Sequence, residues 1–213
     1  MSSSLAPLVS VITPCYNTGH LIHNLLDSLL NQDYPSIEIF IVDDGSTDDS
    51  AVVIKSYIPR FEIKGYKIIY LYQNNSGQSV AINRALKLIH GKYLVWPDSD
   101  DFYSSSTSIT KMVTALENAP SNYAIVRTQE KIIDENSQVI LGVNGLKSKH
   151  FEDSSLFVDC LYNCNNFYFC SGAYMVNVKA LKQTTGMSIY TAKDAGQNWQ
   201  LLLPLLYKYN CIK

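Results

Sequence analysis

Residues 92–101 read Lys92-Tyr93-Leu94-Val95-Trp96-Pro97-Asp98-Ser99-Asp100-Asp101. The apolar run from Lys92 to Trp96 has the character of a strand. Pro97 suits its exit, because proline has no N–H to give a sheet ladder. Three carboxylates then fall within four positions. Crowded carboxylates raise one another's pKa unless a cation sits among them. Asp98 and Asp100 are the pair that could share one hard divalent cation, Mn²⁺ or Mg²⁺. Such ions take oxygen ligands and often bridge one or two carboxylates to a substrate phosphate. Taken alone, the cluster reads more simply as an acidic turn capping a helix that starts near Ser105. The surrounding sequence changes that balance.

Upstream, strands and helices alternate. Leu8 to Thr13 forms a first strand, and Pro14-Cys15-Tyr16-Asn17 is the loop beyond it. Leu21, Ile22, Leu25, Leu26, Leu29 and Leu30 recur at helical spacing, with Asn17 or Thr18 as the cap. Ile37 to Val42 is a second, nearly all-apolar strand, as expected for one covered on both faces. Asp43-Asp44-Gly45-Ser46-Thr47-Asp48-Asp49 follows, with Ser46 or Thr47 capping a helix that runs to about Tyr57 and stops before Pro59. Tyr66 to Tyr72 is a third strand. After the turn Asn74 to Gly77, a helix from Gln78 to Ile89 is stopped by Gly91. This alternation predicts a parallel sheet with right-handed crossovers and helices on both faces. Ligands of such sheets bind beyond the carboxyl ends of the strands. Tyr16, Asp43-Asp44 and Asp98 to Asp101 therefore open onto one edge.

Downstream the pattern is less regular. Helices are expected over Ser108–Glu117, Ser154–Tyr162 and Trp199–Tyr209, the last kinked at Pro204. Tyr123–Ile133 and Gln138–Val143 are expected to pair as a hairpin, and Phe167–Val176 to form a strand. The polar stretch Asn144–Lys149 is the best candidate for a mobile loop. Residues 1–103 thus form a regular, alternating half and 104–213 an irregular half of the same domain.

Composition narrows the function. Hydrophobic residues are 46% and charged residues 17%, below the usual quarter, which favours a filled core over disorder. A net charge of −2 gives no nucleic-acid surface. No apolar run approaches the ~20 residues of a membrane span, and Met1-Ser2-Ser3-Ser4 carries no secretion-signal pattern. A cytoplasmic chain is expected. The five cysteines are odd in number, and the spacing of Cys160, Cys164 and Cys170 fits no common zinc pattern. Reduced thiols are the default. His20 and His23 fall on the solvated side of the first helix, His90 near a helix end, and His150 in the polar stretch.

A cleft with Asp44, Asp98 and Asp100 but few basic residues would hold phosphate through a metal. Asp44 is then free to accept the N3–H of a uracil ring, on which Tyr16 could stack. The cleft suits a uridine diphosphate attached to something. Loss of that diphosphate is easier when a cation neutralises its growing charge.

Four stretches together are similar to those of the family 2, GT-A-type glycosyltransferases. They are Val9-Ser10-Val11-Ile12-Thr13-Pro14-Cys15-Tyr16-Asn17, Ile41-Val42-Asp43-Asp44-Gly45-Ser46-Thr47-Asp48, Asn75-Ser76-Gly77-Gln78-Ser79-Val80-Ala81-Ile82-Asn83, and residues 91–101. The resemblance implies a GT-A fold, Rossmann-like with a mostly parallel sheet. It also implies metal-dependent, inverting transfer of a sugar from a nucleotide donor. By similarity, Pro14, Tyr16, Asp44, Asn83, Asp98 and Ser99 contact the donor, and Asp98 and Asp100 hold Mn²⁺ or Mg²⁺. The implied setting is surface-polysaccharide assembly at the inner face of a membrane, on a saccharide or lipid-linked acceptor.

Two departures stand out. Many relatives carry Arg before the Asn of the third stretch, where this chain has Ile82, with Arg84 two residues on. Relatives also present Glu-Asp at the start of a late helix, whose Asp deprotonates the acceptor. Here Gln197-Asn198 stands there, and an amide cannot take a proton. Asp194, four residues earlier, is the candidate base, while Gln197, Asn198 and Trp199 are expected to meet the acceptor. The chain also ends early for this family, so that Leu201, Leu202, Leu205 and Leu206 would need cover from further residues or a second copy. A nucleotidyltransferase would need a glycine-rich basic loop after the first strand, and a phospho-aspartate phosphatase or receiver domain a partner Lys; neither is found. A nucleotide-sugar-binding module without turnover is the non-enzymatic alternative.

Overall fold

A computed structural model describes residues 5–134, 139–145, 156–164, 167–191 and 196–213. Four parallel strands, β1 (Val9–Cys15), β2 (Ile37–Asp43), β3 (Lys67–Tyr72) and β4 (Tyr93–Val95), are joined by α1 (Ile22–Leu30), α2 (Ser50–Lys64) and α3 (Gln78–Leu86). Then come α4 (Ser108–Asn118), β5 (Tyr123–Arg127), β6 (Glu130–Ile133), β7 (Ile140–Asn144), α5 (Leu156–Tyr162), β8 (Tyr174–Asn177), α6 (Val178–Thr185), α7 (Gln197–Lys208) and β9 (Asn210–Ile212). Among the described residues, the main sheet has seven strands in the order β3-β2-β1-β4-β8-β5-β9, and of these only β8 runs against its neighbours, β4 and β5. Strand order reverses at β1, between β2 and β4, and that is where doubly wound sheets open a ligand crevice.

The alternation of side chains along the strands builds two cores. Val9, Val11, Ile37, Ile39 and Ile41 pack with α1, α2 and α4 on one face. Ile12, Phe40, Val42, Leu94 and Trp96 pack with α3, α5, α6 and α7 on the other. Leu201, Leu202, Leu205 and Leu206 belong to this second core and are buried within the chain itself. The expectation that further residues or a second copy must cover them is corrected: α3, α5 and α6 already do.

Several expected boundaries move. The second helix does not stop before Pro59 but runs through it to Lys64, ending at Gly65 with φ 83°. Burial of Ile54 and Phe61 and the left-handed glycine cap outweigh the single N–H that Pro59 lacks. Gly91 is not a helix stop, since α3 ends at Leu86. A Cβ there would lie 2.5 Å from Ser10 Oγ, so glycine serves close approach. Gly91 N–H and Ser10 Oγ both donate to the buried Glu38 carboxylate, which also pairs with His90. That network explains a buried carboxylate near the start of an otherwise apolar strand.

The expected strand 167–176 is mostly not a strand. Ser171–Ala173 forms one 3₁₀ turn and β8 begins only at Tyr174. The turn brings Gly172 against Pro97, where a Cβ would sit 3.2 Å from the proline Cβ. The hairpin is β6 with β7, while β5 enters the main sheet instead. Neither α1 nor α2 has a side-chain cap, because Asn17, Thr18 and Ser46 are spent joining loops. Helix α7 starts at Gln197, two residues before the expected start, and contains Pro204. Of the polar stretch, Asn144 ends β7, and residues 146–149 lie outside the described residues.

Candidate donor-binding site

The loops beyond β1, β2 and β4 converge with the first residues of α3 and α7. Asp43 and Asp44 are adjacent but divide their work. Asp43 is fully buried and accepts from the Tyr70 hydroxyl at 2.5 Å and from Ser46 N–H at 2.8 Å. It ties the end of β2 to β3. Asp44 turns to the loop before α3. Its Oδ1 accepts from Gln73 Nε2 at 2.7 Å and Ser76 N–H at 2.9 Å, and its Oδ2 from Gly77 N–H at 2.8 Å. Gly45, at φ 82°, lets the two loops touch: a Cβ on it would meet Asn75 N at 2.7 Å. A carboxylate has about four acceptor sites, so Oδ2 of Asp44 retains one. Tyr16, half exposed, stands on the adjoining loop. Pro14 is buried within β1.

In the acidic loop, Asp98 is half-buried, Asp100 exposed and Asp101 half-buried. Asp98 Oδ1 accepts from Gln78 Nε2 at 2.7 Å and from Gln197 Nε2 at 3.3 Å. Burial pushes the Asp98 carboxyl up, and Asp100 adds to this. Ser171, Gln197 and Gln78 oppose the shift. Burial, then Asp98 and Asp100, pushes Asp101 up to about 6. Cys170 donates its S–H toward Asp101 at 3.7 Å, and burial holds that thiol protonated. Ser171 lies near enough to favour the charged form of Asp98, yet its hydroxyl makes no hydrogen bond of normal geometry. Both it and Gln197 Oε1 are buried without a partner. Among the described residues, no three His, Cys, Asp or Glu side chains converge on one point, and all five cysteines are free thiols.

A raised carboxyl binds its proton more tightly in the folded than in the unfolded chain. Between its ordinary value of about 4 and about 6, the folded state of Asp101 holds more protons. Stability therefore falls as pH rises through that window and stays lower above it. Metal-free protein is expected to show this decline in melting temperature, and Asp101→Asn to flatten it. Identical slopes in the two proteins would refute the assignment.

The other expected site residues have definite places. Asn83 exchanges both amide bonds with the Ile189 backbone, at 2.7 and 2.8 Å. Ser99 is buried and accepts from the Thr18 hydroxyl at 3.0 Å. Arg84 donates to the Tyr72 carbonyl at 2.6 Å. Asn198 Oδ1 accepts Trp96 Nε1–H at 2.7 Å. One face of Trp199 is taken by Phe169, with centroids 5.3 Å apart. Asp194 and His150 lie outside the described residues. The amide clasp of Gln78 and Gln197 on Asp98 was not anticipated. Its sequence signal is slight: each residue is the first of its helix.

This sheet, with acidic loops on its ligand edge, has the GT-A fold. A mannosyltransferase of Pyrobaculum calidifontis, solved with GDP-Man and Mn²⁺, superimposes with TM-score 0.69 at 20% identity over 99% of this chain and 55% of that one. Staphylococcus aureus TarS 1–349, solved with UDP-GlcNAc, gives TM-score 0.69 at 22% identity over 96% of this chain and 56% of that one. The model of glycosyl transferase family 2 matches residues 10–184, and the chain belongs to that family. An uncharacterized glycosyltransferase of Rickettsia prowazekii is 36% identical over 154 residues, 71% of this chain and 46% of its own length. Bacillus subtilis TuaG, named for teichuronic acid biosynthesis, is 43% identical over 95 residues, 45% of this chain and 36% of its own. The chain thus spans about half or less of the length of these relatives. Among the described residues, no helix is long and apolar enough to cross a membrane.

Proposed function

We propose that this chain binds a UDP-sugar and transfers the sugar, with inversion, to a saccharide or lipid-linked acceptor in surface-polysaccharide assembly. One observation carries the reading. Two consecutive residues join the two acidic sites: Gly77 donates to Asp44, and Gln78 to Asp98. A nucleoside contact and a diphosphate contact are thereby held as one unit. The relative named for teichuronic acid synthesis supports the polymer class.

In this reading Tyr16 stacks on the base and Asp44 accepts its N3–H. Asp98 and Asp100 would hold a divalent cation. Asp98, with the uncommitted oxygens Ser171 Oγ and Gln197 Oε1 beside it, and the exposed Asp100 two residues on suit a hard ion that takes its remaining ligands from phosphate and water. When bound, such an ion neutralises charge on the departing diphosphate. Asp194 takes the acceptor proton as the acceptor oxygen attacks the anomeric carbon from the far side. The carbon–oxygen bond to the diphosphate breaks, and its electron pair leaves with the diphosphate.

Calorimetric titration with UDP, GDP and CDP, with and without Mn²⁺, tests the donor assignment. Metal-dependent binding of UDP alone is expected, and no binding of any nucleotide would sink the reading. Asp194→Asn is expected to leave UDP affinity unchanged and to lower turnover about 100-fold or more. Asn198→Asp keeps an acceptor for Trp96 and is expected to restore part of that loss. Unchanged turnover in Asp194→Asn would place the base elsewhere. Asn198 also favours a second reading, a binding module without turnover. UDP-sugar binding with no transfer to any acceptor would establish it.

A further inference from the structure

The loops of the site are joined by hydrogen bonds from backbone N–H groups to side-chain oxygens and by one hydroxyl–hydroxyl contact. Asn17 N–H donates to Ser46 Oγ, Thr47 N–H to Asn17 Oδ1, Thr18 N–H to Ser50 Oγ, and Gly19 N–H to Asp48. These bonds lock the loop after β1 to the loop after β2. Asn17 takes φ 53° to make its share, a left-handed conformation that asparagine tolerates better than most residues. The link to the third loop is a side-chain contact: Thr18 Oγ1 donates to Ser99 Oγ at 3.0 Å. Thr18 Oγ1 also lies 3.2 Å from Cys15 Sγ.

A hydroxyl has one proton to give. With the Thr18 proton on Ser99, the contact to Cys15 must be donated by the thiol. Burial raises the Cys15 pKa, which keeps that proton in place. In the sequence Ser99 stands between Asp98 and Asp100.

We propose that Thr18 is a positioning residue for donor binding. It holds the Ser99 hydroxyl, and through it couples the nucleoside-side loops to the acidic loop that carries Asp98 and Asp100. The proposal rests on the UDP-sugar reading above. It assigns Thr18 no contact with substrate; its effect passes through Ser99.

The test compares Thr18→Val, which keeps the branched shape and loses the hydroxyl, with Thr18→Ser, which keeps the hydroxyl. UDP is titrated by calorimetry in the presence of Mn²⁺, and melting temperatures are measured alongside. Thr18→Val is expected to weaken UDP–Mn²⁺ binding about five- to tenfold, with its melting temperature near that of the parent. Thr18→Ser should bind like the parent. In a Ser99→Ala background, Thr18→Val should have little further effect, because the two residues act as one unit. Parental affinity in Thr18→Val, equal loss in Thr18→Ser, or additive losses with Ser99→Ala would each overturn the proposal. If the parent itself bound no UDP in Mn²⁺, the donor reading would fail first and take this proposal with it. That result differs from a parent that binds while Thr18→Val binds equally well.

Discussion

Asp100→Asn is expected to abolish metal-dependent UDP binding and leave the fold intact. Asp100 is exposed and raises the pKa of both Asp98 and Asp101 by charge repulsion. Removing its charge therefore relieves repulsion within the metal-free loop, and the melting temperature of metal-free protein should hold or rise. Binding should respond in the opposite direction. Without Asp100, Asp98 alone is left to a cation, and its Oδ1 is already shared by two amides. A loss of at least ~100-fold in UDP affinity in Mn²⁺ is expected, at or above the 10–100-fold typical of outer-shell changes. Opposed changes in stability and binding identify a site held under repulsion for a ligand. If UDP bound normally to the variant, residues 98–101 would return to being an acidic turn.

Asp44→Asn should be costly in both respects. The carboxylate accepts three hydrogen bonds, two of them from backbone N–H groups. An asparagine amide must turn its NH₂ toward at least one of those donors. A hydrogen bond to a charged group is worth about 1.5–3 kcal/mol, so the loop before α3 should loosen. The base would also lose its acceptor, and the Gly77–Gln78 link to Asp98 would slacken. UDP affinity is expected to fall about 30- to 100-fold, with a melting temperature a few degrees lower, and the remaining affinity should depend less on Mn²⁺. Unchanged UDP affinity in this variant would remove Asp44 from the nucleoside site.

The first hundred residues were legible because local pattern and final structure agree there. Ile37 to Val42 reads as a strand covered on both faces, and it is one. The acidic stretches lie at strand ends, where parallel topology puts them on a common edge. Failures came where contacts distant in sequence decide. Pro59 ends a helix by local rules, but Phe61 and Gly65 carry α2 past it. Gly91 resembles a cap, yet Ser10, eighty-one positions away, sets its requirement. Ser171 looked like part of a strand until Pro97 packed against Gly172. The polar detail of the cleft was hidden for the same reason. Nothing near Gln197 in sequence announces that its amide meets Asp98, ninety-nine positions back. Thr18 looked like a helix cap because Ser99 was out of view.

The placement of β8 limits how such proteins can be recombined. It lies between β4 and β5 and is the strand through which β5 and β9 attach to the rest of the sheet. The strand that pairs with the far edge of the parallel strands is thus encoded some eighty positions after β4. A chimera that exchanged everything after residue 103 would replace a central strand of the sheet, along with Trp96's partner on α7. The C-terminal half therefore cannot be exchanged with a relative's as a simple cassette. A workable exchange must keep β8 and the first turn of α7 with their host and confine the foreign sequence to the segments that leave the sheet.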